Sequence, residues 1–538
     1  MAGQPPNSLR QNELSEYPFL GPFGGIQSEV SLDKIGLTGY QEVQNVMFRK
    51  SQMRTFPGFT SLTVPSPGEI IIGIGDFFDV KGARHLVVWT PTKMFQFSAG
   101  TWTQVTGVLT GNTSQFMQWD VVGYKIYFSQ QKDIVWVWDG IAANFSQASG
   151  SAVPAKYLCE IGFHLVIANT IEGGIGAPNR VRWSGIGDGT DWTSFSSGQN
   201  DLFNGLGPIN GLCRIYQNGY AFQQWGITQI IPTGVGLAPF QFISMGSRAK
   251  GSILPYGVAS FGEIVAAYVG KNDVYVFDGT ESINIGSKPI DGNRRLGARS
   301  RIFSDLFVAL QTNIFGFILS SANGNDYESY WLFIPGLNKA WVYHFDEGSW
   351  TQEFFNANQL VGPVGVAPLS NAPRWLDLVG TWIAQSSTWA AFSNANQLDT
   401  MAISDATAQT IDYFNFGAVN AAPTAGSINA NDGFYLKSGL LNFDDPRHYH
   451  TVKKIRFEFI DYQNITVSIR VSNEYGQQEL KTVTYGTGSG LTIPQVLSFS
   501  IPGKFITYEV SGPKNTNWGC SEITAVYDVG GEIQGGTR

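Results

Sequence analysis

The sequence predicts an all-β protein: a β-propeller of six or seven blades with an N-terminal extended arm and a C-terminal small β-sandwich-like region. Three observations predict it. Aromatic residues make up 14% of the chain, charged residues only 14%, and there are 63 glycines, a balance that suits many short strands and tight turns. A rhythm of apolar strand, turn and aromatic strand recurs, with strands ending near Phe97, Trp138, Trp183, Ile230 and Phe277, roughly 41 to 47 residues apart; four-stranded propeller blades repeat at this period. Within these strands Trp136 alternates with Trp138, Tyr275 with Phe277, and Trp341 with Tyr343, which places each pair on one face.

In chain order, residues 1–60 are polar and irregular and read as an arm plus a first strand. Residues 61–430 hold the propeller. Its clear copies are LVVWTPTKMFQFSAGTWTQV (86–105), KIYFSQQKDIVWVWDGIAANF (125–145), LVIANT into RVRWSGIGDGTDWTSF (165–195), GYAFQQWGITQIIPTG (219–234), IVAAYVGKNDVYVFDGTESINIG (264–286) and YWLFIPGLNKAWVYHFDEGSWTQEF (330–354). A weaker copy lies at 399–416, and the wider gaps before the last copies, near 70 residues, predict insertions. The small, turn-rich stretch at 417–433 reads as a linker. Residues 431–538 contain alternating runs such as KKIRFEFID (453–461), ITVSIRVSNE (465–474) and FITYEVSG (505–512). They predict a small sandwich, with the option that some strands return to complete the last blade.

Composition narrows the function classes. Cys159, Cys213 and Cys520 are too few and scattered for a disulfide framework or a zinc site. No basic-then-apolar leader opens the chain and no run approaches about 18 apolar residues, so neither a signal peptide nor a membrane span is expected. A formal charge of -8 argues against a general nucleic-acid binder.

The stretch NRVRWSGIGDGTDWTSF (179–195) concentrates Gly, Asp, Ser and Trp. As a phosphate cradle it fails, because Gly185, Gly187 and Gly189 precede neither a Lys-Ser/Thr pair nor a helix. As a hairpin corner it makes sense, with Asp188 and Asp191 bonding turn amides. Ser184, Asp188, Gly189, Thr190 and Trp192 also match, at stretched spacing, the residue types of the aspartate box of sialidase-like propellers, itself a structural turn. Arg182 and Trp183 complete this structural hairpin signature.

Other chemistry is thin. Asp139, Asp278 and Asp346 recur after aromatic strands, which favours turn roles over the paired carboxylates of glycoside hydrolysis. Of the histidines His85, His164, His344, His448 and His450, the last two form HYH after Asp444 and Asp445, spaced for one strand face, but no further ligand follows. No serine has a nucleophile context. The expectation is therefore no catalytic residues, no metal and no cofactor. One basic cluster, SRAKG (247–251) with DGNRRLGARSR (291–301), offers Arg294, Arg295, Arg299 and Arg301 either to DNA phosphates or acidic partner loops, or as solvated charges and intersubunit salt bridges.

FGGIQSEVSLDKIGLTGYQEVQNVMFRK (23–50) followed by RTFPGFTSL (54–62) resembles the opening of tail nozzle, or tail hub, proteins of short-tailed bacteriophages. The shared pattern is a GG, an Asn before an Arg-containing strand, and an R-x-x-PGF-like element. LVVWTPTKMFQFSAGTWTQV resembles that family's first blade, NRVRWSGIGDGTDWTSF its recurrent hairpin, and LKSGLLNFDDPRHYHTVKKIRFEF (436–459) its late region, apart from HYH. The resemblance implies a structural virion protein of the tail. It implies a homohexameric ring beneath portal and head-to-tail adaptor proteins, contacts with tail fibres or a needle, and transient passage of viral double-stranded DNA. A carbohydrate-binding or carbohydrate-active propeller is the alternative from the residues themselves.

Overall fold

The structure is a computed structural model. It describes residues 14–532 apart from 21–23, 36–38, 57–58, 63–67, 99–100, 114, 262–263, 292–293, 310–313, 320–327, 356–360, 369–398, 406–409, 415–432, 444, 446, 463–464, 486–487, 490–494 and 514–517. The chain is all-β, and six four-stranded antiparallel sheets, with four consecutive strands of a ten-stranded sheet as a further blade, make a seven-bladed β-propeller. Blade 1 spans Gly73–Phe78 to Thr101–Val105, blade 2 Gln118–Val122 to Ser146–Gln147, and blade 3 Ala155–Ile161 to Gly198–Asp201. Blade 4 spans Ile209–Ile215 to Phe240–Ser244, blade 5 Ala259–Phe261 to Ser282–Asn284, and blade 6 Phe315–Leu319 to Ser349–Phe354. Each first strand packs beside the first strand of the next blade, and that of blade 7, Val361–Pro368, returns to blade 1. The ring is closed.

The recurrent aromatic strands of the sequence are the third strands of the blades: Met94–Ser98, Trp136–Trp138, Ile175–Trp183, Ile227–Pro232 and Val274–Phe277. Their alternation buries one row on each side because every blade is covered by neighbours on both faces. Trp89, Phe128, Trp138 and Phe145, for example, fill the space between blades 1 and 2. The wide gap before blade 6 holds a hairpin, Lys288–Asp291 with Arg294–Leu296, and the helix Arg299–Val308.

Closure differs from the expected route. The fourth strand of blade 7 is Phe59–Leu62, which pairs antiparallel with Thr410–Phe414, so the N-terminal part completes the last blade and the C-terminal region does not. An N-terminal strand on the last blade ties the two ends of the ring by hydrogen bonds, and a toroid of separately stacked blades needs such a tie.

The C-terminal strands instead form a two-sheet sandwich with the N-terminal segment. One sheet runs Gly39–Gln44, Phe434–Ser438, Ile506–Gly512, Ile465–Asn473, Gln478–Tyr485. The facing sheet is built around the long strands His448–Tyr462 and Trp518–Glu532, with Val46–Arg49, Gln52–Thr55 and Ser15–Leu20 alongside. Ile465–Asn473 buries every other residue, as a half-covered strand should. Val467, Ile469, Tyr508 and Val510 meet Phe457, Phe459, Trp518 and Ile523 in one core.

Sandwich and propeller are joined through Asn45. Gly39–Gln44 runs parallel to the outer strand of blade 6 at Gln44 and Gln352. Buried Asn45, at φ 56°, then donates its backbone N–H to Gln352 O (2.8 Å), accepts from Phe354 N–H at Oδ1 (2.8 Å), and donates Nδ2 to Gly433 O (3.1 Å). Asparagine tolerates this left-handed conformation better than other non-glycine residues. The predicted linker at 417–433 falls almost wholly outside the described residues.

Candidate functional site

The stretch 179–195 enters from the third strand of blade 3 and becomes a turn-built corner, with the fourth strand starting only at Gly198. The reading of strand, turn and strand is corrected here: Trp192 lies on the loop. It is nonetheless buried, packed with Tyr127, Leu158 and Ile167 between blades 2 and 3. Trp183 donates Nε1 to Ser196 O (3.1 Å), and buried Ser184 Oγ accepts from Leu165 N–H (3.0 Å) and donates to Gly185 O (2.9 Å). Asp188 Oδ1 accepts from the Thr190 amide (2.9 Å) and hydroxyl (2.6 Å); Asp191 Oδ1 accepts from the amides of Thr193 (3.1 Å) and Ser194 (3.0 Å). The Ser194 hydroxyl, then the Thr193 amide, hold Asp191 below the usual carboxylate range. Arg182 lies over Trp192 (5.7 Å) and 3.7 Å from Glu172. The carboxylates of Asp188 and Asp191 are thus spent on the corner's own amides and hydroxyls.

A rule links such corners. The dipeptides Asp139-Gly140, Asp188-Gly189 and Asp278-Gly279 each follow a third strand. Asp139 Oδ1 accepts from the amides of Ile141 and Ala142, and Asp278 Oδ1 from those of Thr280 and Glu281. The glycine meets a ring from the second strand of the preceding blade. A Cβ on Gly140, Gly189 or Gly279 would lie 2.8 Å from His85 Nε2, 2.6 Å from Tyr127 Cζ or 3.1 Å from Tyr220 Oη. The aspartate shapes the turn and the glycine seats the ring. Asp346 lies in the corresponding turn of blade 6.

The histidines are engaged one by one. His85 contacts Asp79 (3.2 Å) and Gln96 (3.1 Å), His164 donates to Ser184 O (2.6 Å), and buried His344 contacts Thr351 Oγ1 (2.8 Å). His448 pairs with Asp445 (2.6 Å), whereas His450 donates to Asp445 O (2.8 Å) and packs between Phe443 and Tyr527. A register shift in the partner strand falls beside His448 and His450, and both imidazoles reach Asp445, one its carboxylate and the other its carbonyl. Asp444 lies outside the described residues. Among the described residues no three His, Cys, Asp or Glu side chains gather as a metal set, and the three cysteines are buried thiols.

Three arginines of the basic cluster make contacts within the chain. Arg301 donates to Gln41 O (2.8 Å) and pairs with Glu42 (3.2 Å); Arg299 donates to Asn272 O (2.6 Å) and lies 3.6 Å from Glu29; Arg295 donates to Ser287 Oγ (3.0 Å). The side chain of Arg294 lies outside the described residues. Helix and N-terminal segment are thereby pinned together.

Two features had no signal in the sequence. The first is a cavity of about 290 Å³ on the propeller axis, lined by the first strands of blades 1 to 6. Phe116, Tyr157, Tyr256 and Phe315 form an aromatic wall, with Phe116 5.0 Å from Tyr256 and 5.2 Å from Phe315. The second is a row of apolar residues at the turns between first and second strands: Val80, Tyr124, Phe163 and Tyr216 are 62–72% exposed and Ile264 46%. Three of them hold left-handed backbone, Tyr124 and Phe163 at φ 64° and Tyr216 at φ 54°. Two-residue hairpins demand positive φ, for which aromatic residues are poorly suited.

No protein-family model matches the chain, and no curated protein sequence matches it. Among solved structures it is similar to BamB from Moraxella catarrhalis (9% identity, 69% of this chain and 94% of that one, TM-score 0.36). It is also similar to YCF48 bound to D1 peptide (11%, 69% and 100%, 0.36) and to a chain of the mitotic checkpoint complex (8%, 66% and 95%, 0.37). Likenesses of this size carry no argument about function, and the blade count rests on the strand pairing.

Proposed function

We propose that the chain is a non-enzymatic structural subunit of a short bacteriophage tail. It would form, as a homohexamer beneath portal and adaptor proteins, the distal nozzle that retains packaged DNA and conducts it during ejection. Tail fibres or a needle would be its other partners, and the virion tail its location.

The observation that carries the reading is the row of exposed apolar turns on five successive blades, three of them aromatic in left-handed backbone. Exposed apolar surface in series marks contact with other chains, and backbone outliers kept in repeat point to function. The family-like segment supports it further. Its Gly25 abuts the Trp350 backbone, its Asn45 joins sandwich to propeller, and its Phe56 packs on Trp331. The propeller axis, at about 290 Å³, has no room for a duplex, so on this reading the conduit lies between subunits. Chains of net charge -8 around that lumen would repel DNA and spare it binding traps.

Native mass measurement of the purified chain, with cryo-EM of particle tails, tests the proposal. Six-fold rings in the tail are expected, reduced to monomers by the double change Tyr124→Ser, Phe163→Ser with the melting temperature kept. A strict monomer absent from particles would overturn it.

A further inference from the structure

In blade 4 the third strand, Ile227–Pro232, and the fourth, Phe240–Ser244, are joined by residues 233–239, Thr-Gly-Val-Gly-Leu-Ala-Pro. This loop carries no charge, yet residues 233–238 are all exposed, Val235 by 56% and Leu237 by 81%. Phe195 of the blade 3 corner, 74% exposed, lies beside it, for a Cβ on Gly236 would come within 2.8 Å of its ring. The same surface continues to Phe163 and Ile186. Gly187 donates its amide to Phe163 O (2.7 Å), and a Cβ on Gly162 would meet Pro232 at 3.1 Å. Large apolar side chains on neighbouring turns thus stand together in water, and such a patch marks a contact surface.

What covers it follows from how these turns spend their polar groups. Thr233 N–H donates to Pro239 O (2.9 Å) and its hydroxyl to Ala238 O (2.5 Å), while Val235 N–H donates to Thr233 Oγ1 (3.1 Å) and Ala238 N–H to Val235 O (3.0 Å). Under Phe195, Ser197 N–H closes the turn on Ser194 O (3.1 Å), and Asp191 holds the amides of Thr193 and Ser194. A partner protein meets open backbone groups with its own; hydrocarbon does not, and backbone approaches it only when already paired. Uncharged, self-paired turns with Phe and Leu at their tips suit the boundary between headgroups and acyl chains, where such side chains are buried about 5–10 Å deep. Asp188 is exposed between Ile186 and Phe195 in the sequence, and the chain carries a net charge of -8, so a zwitterionic headgroup is favoured over an anionic one.

We propose that this face docks on a lipid surface with zwitterionic headgroups, Phe195, Val235 and Leu237 entering the acyl boundary. The attraction is hydrophobic and therefore nearly insensitive to salt, unlike that of a polybasic anchor. This goes beyond the nozzle reading and does not rest on it.

Flotation of the full chain with phosphatidylcholine vesicles tests it. Co-flotation at millimolar lipid is expected, to the same extent at low and high salt, and weaker when half of the lipid is phosphatidylglycerol. The double change Phe195→Ser, Leu237→Ser should lower the partition coefficient at least about tenfold, as the loss of two buried apolar side chains does, while its melting curve stays in place; Leu237→Ile should retain binding. No co-flotation with phosphatidylcholine, binding that rises with phosphatidylglycerol, or unchanged partitioning of the double variant would each overturn the proposal. So would a double variant whose native mass falls while its vesicle binding stays, because the face is then a contact between protein chains.

Discussion

Gly189 of blade 3 lies flat against the phenol ring of Tyr127 in blade 2, so closely that a Cβ on it would come within 2.6 Å of Cζ. The ring is buried and also packed with Trp192, so it has little room to yield. Overpacking of this kind costs about 1–3 kcal/mol. Gly189→Ala should therefore lower the unfolding free energy in urea by that amount, whereas Gly176→Ala, where a Cβ meets nothing within 4 Å, should be near neutral.

In the same corner the two aspartates divide the work unequally. Exposed Asp188 bonds one residue, Thr190, while Asp191 holds the amides of two successive residues, Thr193 and Ser194. Asp191→Ala should destabilise by about 1 kcal/mol, the net value of such bonds, and Asp188→Ala by less. Equilibrium urea unfolding of the two variants gives the ranking.

Asn45 makes the joint between sandwich and blade 6 with both ends of its amide and with left-handed backbone. Asn45→Ala removes two side-chain hydrogen bonds at a buried site and leaves Phe354 N–H and Gly433 O without them, for a loss of about 2–4 kcal/mol. Asn45→Asp keeps the acceptor for Phe354 and should fall between. Hydrogen exchange at Phe354 should rise in the alanine variant before the blades themselves loosen.

Blade 6 carries two buried titratable groups with opposite pH signatures. Burial lowers His344 from 6.5 to about 3, so the unfolded chain takes up that proton first and stability is lost as pH falls from 6.5 toward 3. Burial pushes Glu353 well above its ordinary 4.5, and its Oε2 lacks a partner among the described residues. The unfolded chain then ionises first, and stability is lost as pH rises above 4.5. Glu353→Gln should leave the melting temperature at pH 4 nearly unchanged and raise it progressively at pH 6 and 8. His344→Gln should flatten the acid limb between pH 6.5 and 3.

What could be read ahead of the structure followed local periodicity. The third strands and the long sandwich strands alternate strongly enough to announce themselves. Phe59–Leu62 did not, because four residues carry no period and their partner strand is at Thr410–Phe414. Arg299 and Arg301 looked unattached for the same reason: Glu29 and Glu42 lie about 260 to 270 positions upstream. The axial wall assembles Phe116, Tyr157, Tyr256 and Phe315 at the inner edges of four blades, a convergence that no window along the chain contains.

The closing strand Phe59–Leu62 also sets a clock. It leaves the ribosome well before its partner, for the strand it must pair with ends at Phe414 and the sandwich strands beside Gly39–Gln44 extend from Phe434 to Gly512. Neither the ring nor the sandwich can be finished during most of synthesis. The early segment stays without its partners until the chain has emerged as far as Gly512, and chains truncated before Thr410 lack both joints.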